Sequence, residues 1–170
     1  MLIGLTLAFA TTLCHARAVP SPGQKPAPGN EVAQTPIAEA GYSPAVNYEL
    51  QCSGCHRNSG EGSKANDTPR LANFVGNFLR VQGGREFLVQ VPGVSQSALS
   101  DAQTAALLNW MLREDGMAGA SRPVDVKPYS TEEVAALRKQ PMLSLPQTRA
   151  DLIAQMRTQG IAIDDVVTRP

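Results

Sequence analysis

The chain has 170 residues, 15 basic against 15 acidic, and only 5% aromatic residues. That length holds one domain with some to spare, and the balanced charge offers no basic field for nucleic acid, which excludes that class of partner. A core of Leu, Val and Ala with few rings would gain from a large apolar cofactor, although many small helical domains are equally poor in aromatics.

The first stretch, "MLIGLTLAFATTLCHARAVP", is an apolar run closed by Ala16-Arg17-Ala18. This small-x-small pattern reads as a signal-peptidase site, with cleavage after Ala18 and export to the periplasm, although no basic residue precedes the run. An uncleaved anchor is the alternative, but the run is too short to span a bilayer well, and the mature chain is read as having no integral membrane span. Residues 1–18 are thus assigned to a signal peptide, and Cys14 and His15 leave with it. Residues 19–41, opening "VPSPGQKPAPGN", are rich in Pro, Gly and Ala. Such a stretch buries too little apolar surface to fold alone and reads as a flexible lead.

From Tyr42 the texture changes. Ser43-Pro44 starts a short helix through "AVNYELQC", with Pro at the first helical position. Residues 57–69 form a polar loop. In "RLANFVGNFLRVQ", Leu71, Phe74, Val75, Phe78 and Leu79 recur at helical spacing, which predicts an amphipathic helix stopped by Gly83-Gly84. "REFLVQV" reads as a shorter helix ended by Pro92-Gly93. Ser100 and Gln103 form a capping box for "DAQTAALLNWMLRED", a helix apolar almost all round and stopped at Gly116. Residues 117–128 read as a loop. Ser130 and Glu133 predict a second capping box, for "TEEVAALRKQ"; Pro141 and Pro146 then interrupt. Thr148 and Asp151 open a last helix, "RADLIAQMRTQ", ended by Gly160. With no sustained strand alternation and no repeat, the fold class is all-α.

The chemistry lies in "QCSGCHRNSGEG". After cleavage the only cysteines and histidine left are Cys52, Cys55 and His56. A redox dithiol needs a thioredoxin-like β-α-β setting, which is absent. A zinc site needs two further N or S ligands, and none remains. A disulfide between Cys52 and Cys55 would close a tight, strained ring. The histidine decides: in Cys-x-x-Cys-His the two sulfurs can form thioethers with the two haem vinyls, while the next residue turns its imidazole to the iron. Cys52 and Cys55 are therefore the expected attachment residues for one covalent haem c, and His56 its proximal axial ligand.

Here the sequence resembles the class I cytochrome c family. "CSGCHRNSGEG" looks like that family's haem-binding segment, "TPRLANF" like its proline-containing stretch, and "ALSDAQTAALLNWML" like its last core helix. The resemblance covers about residues 42–116, the expected cytochrome domain, and leaves 117–170 as a helical extension. It implies that the Pro69 carbonyl accepts a hydrogen bond from His56, and that Trp110 lies against the haem edge. Phe74, Phe78 and Leu108 are further expected pocket residues.

One feature departs from the family. Its usual second ligand is a methionine in the loop before the last helix; here Val91-Pro92 stands there, and valine cannot bind iron. Of the four methionines beyond the haem motif, Met117 is the first choice, for its loop position; Met142 and Met111 follow, and Met156 reads as helix packing. Lys127 and Lys139 read as solvated charges. A methionine ligand suits electron transfer, whereas an open site would bind or reduce peroxide, NO or CO. The expected function is a periplasmic monohaem electron carrier, serving a dehydrogenase or oxidase as redox partner through an apolar haem-edge patch. The alternatives are a five-coordinate haem protein and a haem subunit that works only inside a dehydrogenase complex.

Overall fold

Seven α-helices and three 3-10 turns make up the computed structural model, which describes residues 36–140 and 142–163; the expected signal peptide and most of the lead lie outside the described residues. The fold is all-α: among the described residues the one β feature is an isolated antiparallel bridge between Ser63 and Thr68. No described helix is long and apolar enough to cross a membrane.

Helix α1, Pro44–Gln51, starts where Ser43 leaves extended backbone; its hydroxyl accepts the Val46 N–H at 3.3 Å, and Pro44 occupies the first turn. A single turn, α2 (Ser53–His56), follows at once. Helix α5, Asp101–Met111, carries the expected capping box: the Ser100 hydroxyl accepts the Gln103 N–H, and the Gln103 amide oxygen accepts the Ser100 N–H. It ends four residues earlier than the sequence suggested, with Leu112 as its cap. Tyr48, Phe74, Phe78, Phe87, Leu107, Leu108 and Leu112, all buried, form the centre of the core.

The amphipathic helix expected across 70–82 does not form. Asn73 takes a left-handed conformation (φ 52°) and donates its N–H to the Met117 carbonyl at 2.7 Å, so regular structure there is reduced to a 3-10 segment, Val75–Arg80. The partner is the segment after α5. Gly76 donates to the Ser121 hydroxyl at 3.0 Å, and a Cβ at Gly76 would stand 2.8 Å from the Arg122 nitrogen. Periodicity had placed the apolar side chains correctly, since Phe74, Val75 and Phe78 are buried, but a close backbone crossing set their local geometry.

Helix α3, Gly84–Gln90, begins inside the glycine pair expected to precede it. Pro92-Gly93, expected as a stop, instead opens a short helix α4, Pro92–Ser95, with proline in its first turn. Helix α6, Thr131–Arg138, has half of its expected capping box: the Ser130 hydroxyl accepts the Glu133 N–H, but the Glu133 carboxylate is held by Arg85 at 2.5 and 2.8 Å. Helix α7, Leu145–Thr158, starts earlier than expected, capped by Ser144 with Pro146 in its first turn; Asp151 accepts the Gln147 side-chain amide at 2.8 Å and caps nothing.

Candidate haem site

Helix α1 ends by delivering Cys52 to the start of α2. The Cys52 carbonyl accepts the N–H groups of both Cys55 (3.2 Å) and His56 (3.0 Å), which winds the five residues into one turn. Residues three apart on such a turn share a face, so both sulfurs belong to one side of it. They are free thiols, Cys52 half-buried and Cys55 exposed. Burial, with Cys55 beside it, pushes the Cys52 thiol up to about 11, so it is a neutral thiol at ordinary pH.

The turn is closed by Arg57 in a left-handed conformation (φ 67°), and its carbonyl accepts the Tyr48 hydroxyl at 2.7 Å. Tyr48 was missed in the sequence. The available signal was an aromatic placed one turn before Cys52 in α1, where its ring is buried and its hydroxyl needs a partner.

The polar loop then folds back on itself. Gly62 donates to the His56 carbonyl at 3.1 Å, and Ser63 and Thr68 exchange two backbone hydrogen bonds of 2.9 Å. Gly62 has φ +72°, and a Cβ there would lie 2.6 Å from the Thr68 oxygen and 2.8 Å from the Pro69 carbonyl carbon; only glycine permits that approach. The result presents the Pro69 carbonyl to His56 Nδ1 at 3.0 Å. A carbonyl only accepts, so Nδ1 carries the proton and Nε2 keeps its lone pair. Burial lowers the imidazole pKa most; the Pro69 bond opposes that, and the Arg149 charge adds to it. His56 is thereby a neutral imidazole of fixed tautomer.

Three features of this arrangement fit a covalently held haem: two thiols from one turn that are not bonded to each other, an oriented imidazole with a free Nε2, and an apolar wall. Phe74 and Phe78 meet edge to face with centroids 5.9 Å apart, and Phe78 stacks on Phe87 at 4.8 Å. Among known proteins, the chain is similar to a cytochrome c-552 of Thermus thermophilus, 30% identical over 129 residues that cover 65% of this chain and 92% of the relative. A second cytochrome c-552 of the same species matches at the same identity over 82% of its length. The chain belongs to the c-type cytochromes. No family model and no solved structure matches it.

In this cytochrome Leu108 is buried in the core with Phe74 and Phe78. The Trp110 ring packs on Tyr48, centroids 5.9 Å apart, and lines an open cavity of about 460 Å³ with Pro44, Ala106 and Asn109. It braces α1 against α5, behind the tyrosine that holds the end of the haem turn.

Met117, first choice for the second ligand, is buried in the core. Its sulfur lies 3.3 Å from the point a Cβ of Gly60 would occupy, against the loop that backs His56 on its Nδ1 side. Arg149, which the sequence did not single out, does reach the site: it comes from α7, its guanidinium lies 5.7 Å from the Phe78 ring centre, and its charge is felt at His56. Nothing local marks it, because its place depends on how α7 lies on the 75–80 segment.

Proposed function

We propose that this chain is a monohaem class I cytochrome c, exported to the periplasm with its signal peptide removed after Ala18, that transfers single electrons between an oxidising dehydrogenase and an acceptor. Cys52 and Cys55 hold haem c through thioethers, and His56 is the proximal ligand. The cytochrome core spans residues 42–116, behind the 19–41 lead, and 117–170 is an extension whose described helices, α6 and α7, pack onto that core. When bound, haem c supplies a one-electron couple at the iron.

The chain's own residues do the rest. The Pro69 carbonyl fixes the proton on Nδ1 and aims Nε2 outward, so the ligand is ready without reorganisation. Gly62 and the Ser63–Thr68 bridge hold that carbonyl in place. Tyr48 anchors the end of the turn, and Phe74, Phe78 and Leu108 exclude water from the haem-facing side. With net charge zero, docking on a partner relies on apolar contact more than on long-range attraction.

The observation that carries the reading is the 3.0 Å contact between His56 Nδ1 and the Pro69 oxygen, on a turn that also carries both cysteines. A redox titration of the exported protein, followed by its visible spectrum, tests it. A reversible single-electron transition is expected, and His56→Ala should abolish the native spectrum; an unchanged haem spectrum in that variant would show that His56 is not the ligand.

A further inference from the structure

We infer that Arg149, on α7 of the C-terminal extension, raises the reduction potential of the haem by holding a positive charge against the aromatic wall of the pocket. The inference rests on the cytochrome reading above and adds to it a residue that tunes the couple.

Along α7, Arg149, Leu152, Ile153 and Met156 recur at i, i+3, i+4 and i+7. The last three are buried. Arg149 therefore opens the inward face of the helix, at a position where the pattern calls for another apolar side chain. That face is fixed on the rest of the domain at several points. The Gln155 side-chain amide donates to the Gln82 carbonyl at 3.4 Å, and the Gln159 amide to the Arg80 carbonyl at 3.2 Å. Leu152 packs beside Gly83, where an added Cβ would lie 3.9 Å from it. A whole docked helix thus places Arg149, which is itself half-buried.

Its guanidinium lies 5.7 Å from the centre of the Phe78 ring. Phe78 is buried, meets Phe74 edge to face and stacks on Phe87. These are the rings read above as the haem-facing wall. A cation at an aromatic ring gains attraction that offsets part of its lost hydration. Burial pushes the guanidinium pKa down, but the group stays protonated, and its charge is felt at His56.

The sign of the effect follows from charge alone. Oxidised haem carries one positive charge more than reduced haem. A fixed cation nearby disfavours the oxidised form and raises the potential. A fully solvated charge would be screened by salt, whereas a partly buried one is screened much less. No bond forms or breaks. The expected cytochrome domain, 42–116, does not contain this residue, so the extension contributes to the couple as well as to packing.

A redox titration of the full-length, haem-loaded protein tests the inference, with thermal unfolding on the same samples. Arg149→Gln should lower the midpoint potential, favouring the oxidised form by about threefold or more. Arg149→Leu, whose apolar side chain suits the inward face, should show the same fall. Arg149→Lys keeps the charge and should retain most of the wild-type potential. Arg157→Gln makes the same change in net charge at an exposed position of the same helix and should leave the potential unchanged. A loss of stability in Arg149→Gln and Arg149→Leu with the potential unchanged would overturn the inference and make Arg149 a brace for α7. An equal fall in Arg149→Lys, or in Arg157→Gln, would also overturn it, by showing that side-chain shape or overall charge is responsible. A wild type that carries no covalent haem would instead overturn the cytochrome reading itself.

Discussion

The loop from 57 to 72 and the segment from 91 to 100 are held in opposite ways. The first is held by itself. Its bonds run from Gly62 to His56, between Ser63 and Thr68, and from His56 to Pro69, the longest of these spanning 13 residues. The second makes short turns of its own, but Arg138 fastens it from about 40 residues away. A self-bonded loop can take shape as soon as its residues exist. A clamped one waits for the last third of the chain to fold, so the extension is part of what shapes the 91–100 segment.

Breaking the first loop should have the larger effect. Gly62→Ala forces a side chain into a left-handed position and against the Thr68 and Pro69 backbone, and the expected cost is about 3 kcal/mol. It should also shift the redox potential, because the Pro69 carbonyl moves relative to Nδ1. Thermal unfolding and a redox titration on one sample separate the two effects; a loss of stability with no change in potential would detach the loop from the ligand.

Releasing the clamp is expected to cost less. Arg138→Ala removes four part-buried hydrogen bonds, three to backbone carbonyls and one to the Asp101 carboxylate, and the loss should be about 2 kcal/mol. Hydrogen exchange should rise mainly across 95–100 and remain unchanged across 57–72. Equal deprotection of both would erase the contrast between them.

The contrast also explains what the sequence could and could not disclose. The haem turn, the α1 and α5 caps and the partner of His56 were all legible, because each depends on residues within about a dozen positions. The 70–82 helix was misread because Asn73 and Gly76 answer to Met117 and Ser121, more than forty residues on. The back-bond expected from Glu133 to the start of α6 failed for the same reason: Arg85, which also bonds the Lys127 and Pro128 carbonyls and lies 3.9 Å from the Tyr129 ring centre, takes the carboxylate. Arg149 bears on the site through the packing of α7, and no local pattern carries that information.

The smallest effect sharpens the comparison at this same ion pair. Arg85 holds the Glu133 carboxyl below its ordinary value of 4.5. A carboxyl depressed in the folded state stabilises above its unfolded pKa, and that stability is lost as pH falls through the folded one. Glu133→Gln should therefore cost less than about 1 kcal/mol near neutrality, since the pair is part-exposed, and should flatten the acid limb of stability against pH. Chemical denaturation at pH 7 and at mildly acidic pH measures both; an acid limb as steep as that of the wild type would assign it to other carboxylates.

The central claim is that Cys52 and Cys55 hold a haem covalently. Intact-mass measurement of the exported protein under denaturing conditions, beside a variant that carries both Cys52→Ser and Cys55→Ser, tests it most directly. The account predicts a wild-type mass equal to the mature chain plus one haem, and loss of that adduct when both cysteines are replaced. A wild-type mass equal to the bare chain, from cells competent in haem attachment, would contradict it.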